Sequence, residues 1–425
     1  MDKIEICGGK KLYGTLSISS SKNAILPILA GSILCNGKVV LKNIPEFEDI
    51  KNMCNILQTL GADITKKNET LELNCKNICN FELPECQTKL LRSSIFCLGP
   101  MLARLKKAKI AYPGGCAIGA RPIDLHIEGL KALGVKIDEQ DSFLMCDGEN
   151  MKANDIHLRF ASVGATENLM MACCCAKGTS HIFNPAREPE IVDLQNFLNS
   201  MGAKISGAGT KRITIKGSKD FCSTIYTPIP DRIITGTFLT AVAMTGGKVT
   251  LKNTKAEHLK SLIQKIENKC CKIQVDSDKI IVQGDGCPNS FGNIQTKPYP
   301  GFPTDLQSQM VALACVCKGK SSVTENLFET RFKHVPQLQK MGADITVDGK
   351  VATVIGGLLH GAQVTATDLR SGACLVCAGL AANGKTIVSD VHHIDRGYQK
   401  IEQDFASLGA DIKRIKIEEK SDNNI

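Results

Sequence analysis

The chain has 425 residues, 43% of them apolar, only 4% aromatic and none Trp, so it is long enough for two or three domains with cores of Ile, Leu, Val, Ala and Cys. Its formal charge of +9 is spread through mixed-sign segments, which favours small anionic ligands without calling for nucleic acid. Charges at Met1-Asp2-Lys3-Ile4-Glu5, where a signal peptide is apolar, and the lack of any bilayer-length apolar run predict a soluble, cytoplasmic protein with no membrane partner.

In chain order, Ser19-Ser20-Ser21 place Lys22 at a helix start, where backbone N–H groups favour an anion. A strand is expected at Gly37–Leu41. Ile50, Met53, Leu57 and Leu60 then mark the apolar face of a helix that ends at Leu60-Gly61 and leads into a strand. The same apolar-Gly signature returns at Leu133-Gly134, Met201-Gly202, Met341-Gly342 and Leu408-Gly409. Spacing is roughly 70 residues, with a double interval in which Lys269-Cys270-Cys271-Lys272-Ile273 marks a hidden copy. Equivalent apolar faces occur at Ile191, Leu194, Leu198, Met201 and at Tyr398, Ile401, Phe405, Leu408. Strand pairs follow, as in Ala203–Ile205 with Arg212–Ile215, and a second, wholly apolar helix belongs to each unit, as at Leu169–Ala176. Further strands fall at Gly247–Leu251 and Gly384–Val388, and the polar tail Glu418–Ile425 frays.

Six αβ units predict three per domain, with a cleft between two lobes and a stiff connection at Pro228-Ile229-Pro230. His126 in the second copy, and Arg331 and His334 in the fifth, stand where the pattern expects apolar residues. They are expected to line the cleft, unless the helices begin later there.

Tyr112-Pro113-Gly114-Gly115-Cys116-Ala117-Ile118-Gly119-Ala120-Arg121-Pro122 is a poor core sequence and a good mobile loop. A partly exposed thiol beside a guanidinium has a depressed pKa and serves as an acid or nucleophile. Most of the other cysteines, 20 in all with Cys116, have apolar surroundings such as Cys173-Cys174-Cys175, which fits packing in a reducing compartment. Cys374 and Cys377 have CxxC spacing but lie in an apolar helix with no second ligand pair, so no metal is expected.

Several segments together resemble the UDP-N-acetylglucosamine 1-carboxyvinyltransferase family over nearly the whole chain. They are Ser21-Lys22-Asn23-Ala24, Gly114–Gly119 with Arg121-Pro122, Ser162–Asn168, Ala186–Asp193, Pro300–Asp305, Glu325–Arg331, Asp368–Gly372 and His393–Tyr398. The resemblance implies an α/β fold of two inverted (inside-out) barrels built from six βαβαββ-type repeats. One lobe would be 22–229, the other 1–21 plus 230–425. It implies transfer of the enolpyruvyl group of phosphoenolpyruvate to the 3′-hydroxyl of UDP-N-acetylglucosamine, the first committed step of bacterial peptidoglycan precursor synthesis, without a cofactor. A shikimate 3-phosphate enolpyruvyl transferase or a non-catalytic anion-binding repeat protein are the alternatives. Cys116 would be the proton donor and the target of epoxide phosphonates such as fosfomycin, and Asp305 the base. Lys22, Arg121 and Arg396, with Arg331 and Arg370, would bind phosphoenolpyruvate. The nucleotide sugar would meet Asn23, Arg92, Arg121, Pro122, Ile123, Asp124, Leu125, Val163, Gly164, Asp305 and Leu327, with Phe328 packed on the sugar ring. Asp305 is also expected to cap a helix Leu306–Cys317. Phe160 and Ile234 depart from the family, where Lys and Glu are common.

Overall fold

The structure, a computed structural model, describes residues 2–114, 118–119, 121–140 and 142–416. It divides into two compact units, one of Ser19–Cys116 and Arg121–Ile229, the other of Met1–Ile18, Ala117–Ala120 and Pro230–Ile425. Cys116 lies outside the described residues.

The unit that begins at Ser19 holds α1 (Lys22–Gly31), α2 (Glu48–Thr59), α3 (Leu98–Leu105), α4 (Asp124–Ala132), α5 (Val163–Cys173) and α6 (Pro189–Ser200). Of these, α1, α3 and α5 are buried almost throughout, as expected of helices that are apolar on every side. By contrast, α2, α4 and α6 bury one face and each ends at a glycine in the left-handed region. Those glycines are Gly61 (φ 108°), Gly134 (φ 88°) and Gly202 (φ 107°), a conformation that a Cβ makes costly. Three four-stranded sheets surround the helices. In one, Thr224–Tyr226 runs parallel to Lys38–Leu41, which is followed by antiparallel Thr70–Asn74 and Asp63–Lys67. The last strand of this unit thus pairs with its first.

The other unit repeats the plan with α7 (Arg232–Thr245), α8 (Lys260–Ile266), α9 (Gln307–Val316), α10 (Val335–Lys340), α11 (Leu369–Ala381) and α12 (Ile401–Ser407). Its buried helices α7, α9 and α11 pack on one another inside three more four-stranded sheets. Lys3–Cys7 inserts between Lys385–Ser389 and Asp411–Ile415, and Leu12–Ser17 runs parallel to Gly247–Lys252. After α8 the left-handed residue is Asn268 (φ 61°) rather than glycine, because Asn tolerates that region. This is why the fourth copy lacks the Gly signature.

Two expectations need correction. Tyr398 is buried but precedes α12, and its hydroxyl lies 2.7 Å from Thr237 Oγ1. The helix expected at Leu169 begins at Val163, where the Ser162 hydroxyl caps it. His126, Arg331 and His334 are all buried. In the fifth copy the helix does begin later, at Val335 with His334 in the cap position, whereas His126 lies inside α4.

Candidate active site

Lys22 is the first residue of α1, and its Nζ lies 2.9 Å from Asp49 Oδ2 in the first turn of α2. The start of α1 is fixed from the other end of its unit, where Ser21 N–H donates to Ile229 O (2.8 Å) and Ser20 Oγ to Pro228 O (3.1 Å). Asn23 follows, half-buried.

The ends of the cysteine loop meet on one side chain. Arg92 donates from Nη1 to Pro113 O (3.2 Å) and from Nη2 to Arg121 O. Burial, then the charge of Arg121, pulls the pKa of Arg92 down to about 10. Arg121 itself has a positive φ (45°). Gly114 N–H donates to Thr88 O at 3.2 Å, and a Cβ on Gly114 would stand 2.1 Å from Lys89 O, so this residue has to be glycine. Of the loop tip, Ile118 and Gly119 group with the unit that contains Thr330, whose N–H donates to Ile118 O at 3.2 Å.

Beyond the loop, Pro122 is exposed while Ile123 and Leu125 are buried. Asp124 pairs with Arg159, which also holds Glu128 at 2.7 Å, an exposed arrangement that solvent screens. Val163 and Gly164 form the first turn of α5, half-buried. Phe160, which departs from the family pattern, is exposed. Glu167, buried in the same helix, has its pKa raised well above the carboxylate range by burial and then by Glu190 and Glu188.

Within the other unit, Asp305 is the second residue of a 3₁₀ turn, Thr304–Leu306, that precedes α9. The expected capping role is not found, because Leu306 occupies the cap position. Its carboxylate instead meets two guanidinium groups, Oδ1 at 3.1 Å from Arg331 Nη2 and Oδ2 at 2.8 Å from Arg370 Nη2. Side-chain exposures of 4% and 6% for the arginines against 27% for Asp305 place the acid on the open side of the cluster. Burial works against the charge of Arg370, but Asp305, Tyr398 and Asp231 outweigh it and hold its pKa above the ordinary value. Asp368 fixes the backbone at Arg370 by capping α11, accepting from Arg370 N (2.9 Å) and Ser371 N (3.1 Å).

Leu327 and Phe328 are positioned by Glu325, whose role the sequence did not suggest. Its Oε1 accepts from Thr296 Oγ1 (2.8 Å), Leu327 N (2.8 Å) and Phe328 N (3.2 Å), and its Oε2 from Thr304 Oγ1 (2.8 Å). One buried carboxylate thereby ties the segment with Phe328 to the turn with Asp305. The Phe328 ring lies 5.8 Å from the Arg331 guanidinium. Arg396 is half-buried at the end of the short helix His392–Asp395, and with burial and His392 it depresses the pKa of His393. Among the described residues no group of three or more His, Cys, Asp or Glu is arranged to hold a metal, and Cys374 and Cys377 are fully buried in α11. Such a set of fixed cations around one accessible carboxylate suits an anionic substrate whose reaction includes a proton transfer.

A family model described as EPSP synthase (3-phosphoshikimate 1-carboxyvinyltransferase) matches residues 6–405. A UDP-N-acetylglucosamine 1-carboxyvinyltransferase 2 from Caldanaerobacter subterraneus subsp. tengcongensis is 48% identical over 416 residues, which cover 98% of this chain and 100% of that protein. A UDP-N-acetylglucosamine 1-carboxyvinyltransferase from Geobacter metallireducens is 46% identical over 418 residues, with the same coverage. Among solved structures, the enolpyruvyl transferase NikO from Streptomyces tendae superposes with a TM-score of 0.88 at 22% identity, over 97% of this chain and 98% of the other. An EPSP synthase from Acinetobacter baumannii gives 0.75 at 16% identity, over 98% and 100%. These structural matches establish the fold, the inverted α/β barrel.

Proposed function

The chain belongs to the UDP-N-acetylglucosamine 1-carboxyvinyltransferase family, and we propose that it transfers the enolpyruvyl group of phosphoenolpyruvate to the 3′-hydroxyl of UDP-N-acetylglucosamine, releasing phosphate. The observation that carries this is identity of 48% and 46% to proteins of that name along 98% of the chain. The step belongs to bacterial peptidoglycan precursor synthesis. A cytoplasmic location suits both substrates, and no helix among the described residues is long and apolar enough to cross a membrane.

Three proton transfers are required. A proton added to C3 of phosphoenolpyruvate makes C2 electrophilic, and Cys116 is the group proposed to deliver it. The 3′-oxygen then bonds to C2 and its proton passes to Asp305. Loss of a proton from C3 and cleavage of the C2–O bond to phosphate complete the elimination. Phosphoenolpyruvate brings a phosphate and a carboxylate, and Lys22, Arg121, Arg331, Arg370 and Arg396 supply fixed positive charge for them. The ion pairs of Lys22 with Asp49 and of Asp305 with two arginines support this assignment, since they pre-orient the charges before any substrate arrives. The sugar and nucleotide half is assigned to Asn23, Arg92, Pro122, Ile123, Asp124, Leu125, Val163, Gly164, Leu327 and Phe328.

The test is phosphate release from phosphoenolpyruvate with each acceptor in turn. Release that requires UDP-N-acetylglucosamine and does not occur with shikimate 3-phosphate is expected. Release with shikimate 3-phosphate alone would overturn the reading.

A further inference from the structure

The turn that carries Asp305 runs directly into α9, where Ser308 and Gln309 are polar yet 2% and 0% exposed. Ser308 Oγ stands 3.0 Å from Gln309 Oε1 and 3.0 Å from Arg370 O, so one hydroxyl proton is shared between two acceptors. Gln309 Nε2 donates across to Thr237 Oγ1 in α7 at 3.3 Å. Thr237 uses its own proton on Ile233 O (3.0 Å), so in the 2.7 Å contact with Tyr398 the phenol has to be the donor. Thr237 and Tyr398 are buried as well. Burial pushes the Tyr398 phenol up to about 12 against the nearby charge of Arg370, so it keeps the proton that it donates.

This buried chain touches three segments of its unit that carry the charges. Asp305 lies three residues before Ser308, Ser308 reaches the backbone of Arg370, and Tyr398 lies two residues beyond Arg396. Arg370 is thereby held at its amide by Asp368, at its carbonyl by Ser308 and at its guanidinium by Asp305. A satisfied polar network in a core fixes one arrangement of the elements it joins. We propose that Gln309 is a positioning residue for enolpyruvyl transfer, which joins Ser308 to Thr237 and Tyr398 and so fixes the spacing of Asp305, Arg370 and Arg396. The kinetic consequence rests on the proposed function, whereas the geometry stands without it.

Gln309→Leu on the full chain is the test. It has nearly the same volume and strands no partner, since the Ser308 proton goes to Arg370 O while Thr237 still accepts from Tyr398 and donates to Ile233 O. A role in packing alone therefore predicts unchanged kinetics. The expected result is a roughly ten-fold fall in kcat/KM for phosphoenolpyruvate, with the KM for UDP-N-acetylglucosamine and the urea midpoint near those of the wild type. Tyr398→Phe, which lacks only the hydroxyl, is expected to lose roughly five-fold, and the double variant less than the product of the two because both act through Thr237. A crystal structure of Gln309→Leu reads the geometry without turnover: the 2.8 Å contact of Arg370 with Asp305 is expected to lengthen by roughly half an ångström. An unchanged contact, or kcat/KM unchanged in both single variants, overturns the proposal. A wild-type chain that releases no phosphate with UDP-N-acetylglucosamine overturns the proposed function instead, and the crystal structure still decides whether Gln309 positions Arg370.

Discussion

Glu325 offers the sharpest test of how the acid turn and the Phe328 segment are held together. It is 2% exposed and accepts four hydrogen bonds, three on Oε1 and one on Oε2. Glu325→Ala leaves four donors with no acceptor where water enters poorly. At about 1 kcal/mol for each lost bond, the local cost is about 4 kcal/mol. Glu325→Gln has nearly the same shape. Its carbonyl oxygen replaces Oε1 and keeps three donors satisfied, while the Thr304 hydroxyl turns to accept from the new amide, so the loss is about 1 kcal/mol. Hydrogen exchange at the Leu327 and Phe328 amides reads this directly. The alanine variant is expected to exchange them roughly a thousand-fold faster than the wild type and the glutamine variant less than ten-fold faster. Because Thr304 adjoins Asp305, kcat falls in the same order. Equal protection in the alanine variant and the wild type would refute the reasoning, and so would a glutamine variant as labile as alanine.

Cys116→Ser is expected to lower phosphate release by at least ~100-fold at neutral pH and to abolish covalent inactivation by fosfomycin; an unchanged rate would remove Cys116 from the acid role. Asp305→Asn is expected to bind both substrates yet turn over at least ~100-fold more slowly, while Asp305→Ala, which strips two buried guanidinium groups of a counter-charge, also costs about 3–5 kcal/mol of stability by urea denaturation. Gly114→Ala forces the backbone apart at Lys89 and is expected to impair turnover with the fold intact by circular dichroism; full activity would show that the loop base tolerates displacement. The pKa of His126 is depressed to about 3 and that of His334 to about 4, in each case first by burial. Below about pH 6.5 the unfolded chain binds protons that the folded chain refuses, so stability falls as pH drops, at up to about 1.4 kcal/mol per pH unit for each histidine. That loss runs from about 6.5 down to about 4 for His334, and His334→Asn should flatten the urea midpoint between pH 7 and pH 5; an identical slope in the variant would contradict it.

Much of the scaffold was legible because its signals are local. Left-handed glycines after amphipathic helices recur at 61, 134, 202, 342 and 409 with positive φ in every case, and periodicity marked residues that are buried, although Tyr398 lies ahead of α12. Asn268 shows the limit of that signal, since a second residue type reaches the same conformation. The parallel pairing of Thr224–Tyr226 with Lys38–Leu41 left no trace in the sequence, because a three-residue strand defined by partners far along the chain has no pattern of its own. Periodicity singled out His126, Arg331 and His334 as polar residues on apolar faces but could not show that they are buried. Their burial depends on distant partners, Asn168 for His126 and Asp305 for Arg331. For the same reason Glu325 went unrecognised, and Arg92 was expected to meet the nucleotide sugar with no hint that it fastens both ends of the cysteine loop.

The addition–elimination chemistry at the centre of the account makes C3 of phosphoenolpyruvate a methyl group in passing. In deuterium oxide, with phosphoenolpyruvate and UDP-N-acetylglucosamine, the chain should form an enolpyruvyl ether of the nucleotide sugar carrying deuterium on its vinyl carbon, one phosphate being released per ether. An ether free of deuterium would contradict the protonation step, and absence of the ether would contradict the function.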